Sequence, residues 1–383
     1  MTMIDRRSLL TRSALLSGAL FAPRLAWAAA PTERRLVFVI QRGAADGLAT
    51  LAPTGDPAYA SLRGELADLG GGTKLDGLFT LHPSLTQLAA RYQAGEALFV
   101  HATASPYRDR SHFDGQNVLE TGGKLPYDRD DGWMNRLIGL LPGGDAKALA
   151  LSPAIPTALR GPATVSSYAP TNLPDASAEF LQRVGRLYAD DPQLHGLWSE
   201  AVQTRAMAST VGEDNGRGAA AAGKLAASLM TGPEGARLVM VESNGWDTHA
   251  GQRGRLANQL GGLDAMLGAL RDGLGAAWAD TLVIVATEFG RTAAANGTGG
   301  TDHGTGGLAF MLGGRVKGGR VLADWPGLSP SALYEGRDLK PTTPLDAVLS
   351  GALAGHFGLD PALAARTLFP GGASKPLEGL IRA

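Results

Sequence analysis

The chain holds seven histidines, and two of them stand beside carboxylates: Asp247-Thr248-His249 and Asp302-His303, both on glycine-flanked stretches. Asp46, in Arg42-Gly43-Ala44-Ala45-Asp46-Gly47, and Glu288, in Thr287-Glu288-Phe289-Gly290-Arg291-Thr292, add two further carboxylates. Asp, Glu and His are the ligands of zinc, manganese and similar divalent ions. Four carboxylates brought together without a cation would repel one another. Each residue taken singly fits an ordinary cap or turn, as Asp247 would before a helix starting near Thr248. As a set they point to a divalent metal site with Asp46, Asp247, His249, Glu288, Asp302 and His303 as candidate ligands, the ion being Zn, Mn, Mg or Ca. Arg42, Arg108 and Arg291 are candidates to clamp an anionic group bidentately, with surface salt bridges as the alternative. His82, His195 and His356 have no carboxylate companion and read as structural, whereas His101, at a strand end, stays open.

Other chemistries are excluded. Without cysteine there is no disulfide, no thiolate catalysis, no Cys-ligated zinc and no iron–sulfur cluster. No P-loop, H-E-x-x-H or G-x-S-x-G occurs, and the Gly-rich run 297–307 is no dinucleotide fingerprint, since it does not follow a strand and open a helix. Val241-Glu242-Ser243-Asn244-Gly245 resembles a nucleophile elbow only loosely, because Glu242 stands where the tight turn needs a small residue.

Stepping outward, the candidates sit at the ends of short apolar runs. Leu36–Ile40, Ala97–Val100, Leu238–Val241, Leu282–Val285 and Leu308–Leu312 are continuous rather than alternating, as expected of strands covered on both faces. Between them lie helical patterns: Leu85, Leu88, Ala89 and Tyr92 at i, i+3, i+4, i+7, and a leucine face from Leu256 to Leu274. The alternation implies an α/β fold with a mostly parallel sheet and helices on both faces. In such sheets ligands bind beyond the carboxyl ends of the strands. That edge is where Asp46, the 101–114 stretch, Asp247, His249 and Glu288 follow their strands, and Asp302-His303 lies just before the fifth. The Pro-rich, Ala/Ser/Thr-rich stretch 123–235 reads as a helical insertion or cap.

A net charge of −1 and pI near 6.7 give no field to attract nucleic acid. Gly, at 53 residues, is roughly twice its usual share and implies many tight turns. Residues 1–28 look like an address. Arg6-Arg7 precedes a short apolar stretch, Ala14–Ala22, that ends at the A-x-A signal Ala26-Trp27-Ala28. Paired arginines before a mild apolar core imply the twin-arginine translocation machinery as a partner, with an ordinary Sec signal as the alternative, and by either route a periplasmic or secreted destination. The apolar stretch is too short to span a bilayer, and no membrane span is expected in the mature chain 29–383.

Together with Ser111-His112-Phe113-Asp114-Gly115-Gln116, these motifs, in order from about residue 34 onward, resemble the exported bacterial family called domain of unknown function 1501. That family is similar to the alkaline phosphatase/sulfatase superfamily. The resemblance implies an alkaline-phosphatase-like sheet carrying a metal site and a nucleophile at a helix start. It assigns metal roles to Asp46, Asp247, His249 and His303, with Asp302 as an additional candidate. Glu288 falls where the superfamily has Asp-His, and Phe289 replaces the histidine. More carboxylate and less imidazole favours harder ions such as Mn, Mg or Ca. Thr121-Gly122 matches the end of the nucleophile helix and places the nucleophile at Ser111 or His112. Ser105-Pro106-Tyr107-Arg108 echoes the sulfatase signature, but Ala104 stands where the oxidised cysteine would be. The resemblance implies a metal-dependent hydrolase of an anionic phosphate or sulfate ester, with Ser111 or a metal-bound water attacking and Arg291 or Arg108 holding the anion. The other reading is a degenerate, non-catalytic member that binds a ligand or partner.

Overall fold

All five apolar runs become strands of one sheet in the computed structural model, which describes residues 32–142, 146–170, 178–189, 191–208, 218–232, 235–372 and 374–382. The expected leader at 1–28 lies outside the described residues. The chain opens with β1 (Arg35–Gln41), α1 (Gly47–Thr50), β2 (Leu51–Ala52) and α2 (Tyr59–Arg63). Next come β3 (Thr73–Lys74) and β4 (Thr80–Leu81); β4 pairs with both β2 and β3 in a small separate sheet. α3 (Thr86–Gln93) leads to β5 (Ala97–Ala104), α4 (His112–Thr121) and α5 (Trp133–Leu140). β6 (Ala148–Leu151), β7 (Ser166–Ser167), α6 (Ala178–Leu187), α7 (Pro192–Ala208) and α8 (Ala219–Met230) precede β8 (Leu238–Ser243) and the long α9 (Gln252–Leu274). The chain ends with β9 (Thr281–Thr287), β10 (Gly307–Gly313), β11 (Arg320–Leu322), β12 (Thr343–Pro344), α10 (Leu345–Phe357) and α11 (Pro361–Leu368).

The main sheet runs β11-β5-β10-β9-β1-β8-β6-β7, with β12 also on β5. β1 pairs in parallel with both β8 and β9, so Val37 faces Val239 on one side and Val283 on the other. Successive side chains of a strand point to opposite faces. Val37 and Val39 therefore join Leu225, Leu256 and Leu260 of α8 and α9. Leu36, Phe38 and Ile40 join Trp133 and Leu137 of α5 and Leu349 and Leu353 of α10. Phe38 meets Trp133 edge-on at 5.0 Å between ring centres. Both faces are covered, which is why the strands read as unbroken apolar runs. Of the 123–235 stretch, β6 and β7 extend the parallel sheet beside β8, and α5 packs against its face. That portion builds the main sheet itself. No helix among the described residues is long and apolar enough to cross a membrane.

β10 runs antiparallel to both neighbours, β5 and β9. Its amino end therefore lies at the edge where β1, β8 and β9 have their carboxyl ends. A polar stretch that precedes this strand reaches the same edge as those that follow the others.

Two histidines lie inside this framework. His101 donates from Nε2 to the Leu51 carbonyl at 3.0 Å and accepts at Nδ1 from the Ala102 N–H at 2.8 Å. His356 donates from Nε2 to the Arg35 carbonyl at 2.9 Å. Burial pushes their pKa values down to about 4 and about 3. An unfolded histidine takes up a proton below about pH 6.5, whereas these stay neutral in the folded chain. Stability is therefore complete above pH 6.5 and lost as the pH falls toward 4, by roughly 1 kcal/mol per pH unit for each ring. Urea unfolding at pH 7.5, 6 and 5 should show the midpoint falling, and His356→Gln should flatten the slope. An unchanged midpoint at pH 5 would contradict the assignment.

Candidate metal centre

The order β5-β10-β9-β1-β8 sets side by side the strand ends that carry the chemistry. His112 opens α4 after β5, Asp247 and His249 follow β8, Glu288 follows β9, and His303 precedes β10. One ligand atom from each of His112, Asp247 and His303 lies within 4.8 Å of the others. His249 completes the group: its Nε2 is 2.9 Å from His303 Nε2 and 3.0 Å from Asp247 Oδ1. His303 Nε2 is 3.4 Å from Oδ1 of the same carboxylate, and His112 Nε2 is 3.6 Å from Oδ2.

The partners of the other ring nitrogens decide what these atoms can do. His303 Nδ1 meets the Arg110 carbonyl at 3.0 Å, and a carbonyl can only accept, so Nδ1 carries the proton. His249 Nδ1 meets Asp302 Oδ1 at 3.1 Å, and His112 Nδ1 meets Glu288 Oε1 at 2.8 Å. The Asn296 hydrogen bond, seconded by His249, holds Asp302 below its ordinary range. Burial pushes Glu288 up, but hydrogen bonds from His112 and Gln116 outweigh it and keep the carboxyl low. Both carboxylates are thus ionised acceptors. In the neutral rings His112 and His303 present Nε2 lone pairs to the Asp247 carboxylate, whereas His249 has a carboxylate oxygen beside each nitrogen, Asp302 Oδ1 at 3.1 Å and Asp247 Oδ1 at 3.0 Å. Such a convergence of acceptors is repulsive unless a cation or added protons lie among them. His112 Nε2 is buried with no hydrogen-bond partner. The separations of 2.9–3.6 Å match what two ligands of one small cation leave between them, about 3.4 Å for bonds near 2.1 Å. The residues present fit a divalent ion held by His112, Asp247 and His303, with His249 Nε2 beside His303 and Asp247 as a further donor.

Several expected ligands stand one step behind. Glu288 accepts from His112, from the Gly43 N–H at 2.8 Å, from Gln116 Nε2 at 3.0 Å and from the Thr287 hydroxyl at 2.8 Å. Asp302 accepts from His249 and Asn296. Both orient imidazoles, as carboxylates behind metal-ligating histidines do. Phe289, where the resemblance would have a histidine, stacks on the His112 ring at 5.1 Å and fixes its plane.

Asp46 lies outside the cluster. It caps α1, accepting from the Ala49 N–H at 3.1 Å, and pairs bidentately with Arg63 at 2.6 and 2.9 Å. Gln252 Nε2 donates to its second oxygen at 2.6 Å. Both Asp46 and Arg63 are fully buried. Burial pushes Asp46 up, but the Arg63 charge wins and holds it ionised. Gln252 Oε1 in turn accepts from Thr248 at 2.9 Å and Thr301 at 2.6 Å. Those threonines flank the candidate ligands Asp247, His249 and His303, so a buried ion pair ties their two loops together.

Of the arginines, Arg291 is buried and donates to the carbonyls of Gly43, Ala44, Trp246 and Thr301 and to Asp247. Burial pushes Asp247 up, yet the Arg291 hydrogen bond and charge outweigh it and keep it ionised. A side chain at Gly43, where φ is +115°, would meet the Asp247 N–H at 2.6 Å, so only glycine allows this loop to lie against β1's exit. Arg42 pairs with Glu120 and Glu242. Arg108 donates to the carbonyls of Ser105 and Tyr107 and lies in a separate cavity. Ser111 is the N-cap residue of α4, and its hydroxyl makes no capping hydrogen bond.

Arg63, Gln252, Thr248 and Thr301 were not evident as site residues. Nothing in their spacing marks them, because buried pairing with Asp46 is a tertiary event. Gln116, in the Ser111–Gln116 motif, was in view without a role.

A model of the family described as Protein of unknown function (DUF1501) matches residues 33–363. The chain belongs to this family. No curated protein matches it. Among solved structures it is similar to a 2-O GAG sulfatase at 10% identity, over 90% of this chain and 76% of that one, with a TM-score of 0.44. A protein of the alkaline phosphatase superfamily from Vibrio parahaemolyticus is similar at 13% identity, over 84% and 72%, with a TM-score of 0.36. So is alkaline phosphatase from the Antarctic bacterium TAB5, at 14% identity over 76% and 95%, with a TM-score of 0.32.

Proposed function

We propose that the chain is an exported, metal-dependent hydrolase of phosphate or sulfate esters. The observation that carries this reading is the convergence of ligand atoms of His112, Asp247 and His303 within 4.8 Å of one another at the start of α4, with His249 Nε2 beside them. A divalent ion held there would polarise an ester oxygen and make a nearby hydroxyl or water a stronger nucleophile. Three imidazoles and one carboxylate suit zinc better than magnesium or calcium, which reverses the expectation drawn from a carboxylate-rich set. Export is supported by the Arg6-Arg7 leader ending at Ala26-Trp27-Ala28.

The chain's own groups supply the rest. The Arg110 carbonyl and Glu288 hold the Nδ1 protons of His303 and His112, which keeps their Nε2 atoms available, and Asp302 can do the same for His249. The first turn of α4 has no side-chain cap, and its free N–H groups form a positive helix end suited to an anionic oxygen. Ser111, the N-cap residue of α4, is the nucleophile of this reading at that helix end.

One observation favours the non-catalytic alternative. Arg291 and Arg42 are engaged within the scaffold, and Arg108 lines another cavity. None of the three is left to neutralise a transferring group, so the site would bind an anionic ligand without turning it over. Aryl phosphate and aryl sulfate hydrolysis by the zinc-loaded mature chain separates the readings. We expect turnover that chelator abolishes and that falls at least about 100-fold in Ser111→Ala. Metal binding without turnover of either ester would leave the binding reading standing.

A further inference from the structure

A cavity of about 270 Å³ lies between the C-terminal half of α4, the exit of β5 and the start of α10. None of His112, Asp247, His249 or His303 lines it, so it is distinct from the metal centre. Its wall includes the apolar side chains of Val118, Leu349 and Phe369, and its charged groups are Arg108, Lys124 and Asp346.

The charges do not balance. Arg108 is half-buried, and its Nη1 donates to the backbone carbonyls of Ser105 and Tyr107, the latter at 2.7 Å. Those bonds fix the guanidinium in place without neutralising it. No carboxylate pairs with Arg108 or Lys124 among the described residues, and Asp346 already accepts from the Ser374 N–H at 2.6 Å. Burial also lowers the Arg108 pKa, in keeping with a cation whose counter-charge is missing. A fixed guanidinium with free donors is a ready partner for a planar anion. An apolar cavity of roughly 150 Å³ accepts a benzene ring, so this one has room for a ring or short branched chain with its anionic group.

We propose that this cavity is a second ligand site, for a small amphipathic monoanion: one apolar ring or short chain bearing a carboxylate or sulfonate. The apolar body lies against Leu349 and Phe369 while the anion meets Arg108, with Lys124 at the exposed side.

Benzoate and its uncharged analogue benzyl alcohol test this by titration calorimetry on the mature chain. Benzoate should bind at least about tenfold more tightly than benzyl alcohol, the ratio expected of a charge-assisted pair. Arg108→Met, checked for folding by circular dichroism, should bring the two ligands to equal affinity, and the exposed Lys124→Ala should weaken benzoate severalfold. His303→Ala should leave benzoate binding as it is. Loss of benzoate binding in His303→Ala would move the ligand to the metal centre. Equal affinity for both ligands in the unmodified chain, or unchanged benzoate affinity in Arg108→Met, would also overturn the proposal.

Discussion

His303→Ala is expected to strip the purified chain of its metal and to lower its thermal stability together. His303 Nε2 lies within hydrogen-bonding range of both His249 Nε2 and Asp247 Oδ1, at 2.9 and 3.4 Å, so its removal opens the centre of the donor set. Loss even of a group behind a ligand typically lowers metal affinity 10–100-fold, and loss of a ligand itself should exceed about 100-fold. An ion present at 100 times its Kd and bound only by the folded state contributes about 2.7 kcal/mol. The variant should lose that increment and melt several degrees lower, whereas chelator-treated wild type and variant should differ far less. His195→Ala, on exposed α7, is the control and should keep full occupancy. Element analysis of the three chains, purified without chelator and again after zinc reconstitution, reads the result. Equal metal in His303→Ala and wild type would remove His303 from the site, and a wild type that takes up no zinc would remove the site itself.

The second large effect concerns the ion pair beneath the cluster. Asp46→Ala leaves the Arg63 guanidinium fully buried without its carboxylate, and breaking a buried pair in this way costs about 3–5 kcal/mol. The double variant Asp46→Asn with Arg63→Leu should recover most of that loss. It removes both charges, and the single Asn oxygen can still accept from Gln252 Nε2, at the cost of the bond from the Ala49 N–H, which meets the other carboxylate oxygen. Guanidinium unfolding midpoints report the stability. Metal content in the double variant then distinguishes two roles for Asp46. A positioning role, through Gln252 and the threonines of both ligand loops, predicts near-normal zinc in the double variant and reduced zinc in Gln252→Leu. A ligand role predicts zinc loss in the double variant even though its stability is restored, and that outcome would contradict the geometry.

Much of this was legible from residue order alone. Continuous apolar runs announce strands covered on both faces, because a buried strand has no solvent side on which to alternate. The Leu256–Leu274 stripe announces α9 for the same reason of burial. Motifs at strand ends follow from the sheet's polarity, and Asp247, His249 and His303 could be nominated because Asp and His are the residue types that ligate divalent ions. Other decisions belonged to the tertiary structure. Sequence leaves open which face of an imidazole is protonated, because the Arg110 carbonyl, Asp302 and Glu288 that settle it come from three separate segments. The contacts of His112 with Glu288 and Phe289 likewise arise only when α4's start is set against the exit of β9. Asp46 and Glu288 resemble ligands as residue types, but a carboxylate's role depends on which donors reach it first. Arg63, seventeen residues beyond Asp46, reaches it only once α2 has folded against α1. The antiparallel direction of β10, which brings His303 to the shared edge, is likewise a property of the assembled sheet, since an apolar run reads the same whichever way its strand is laid down.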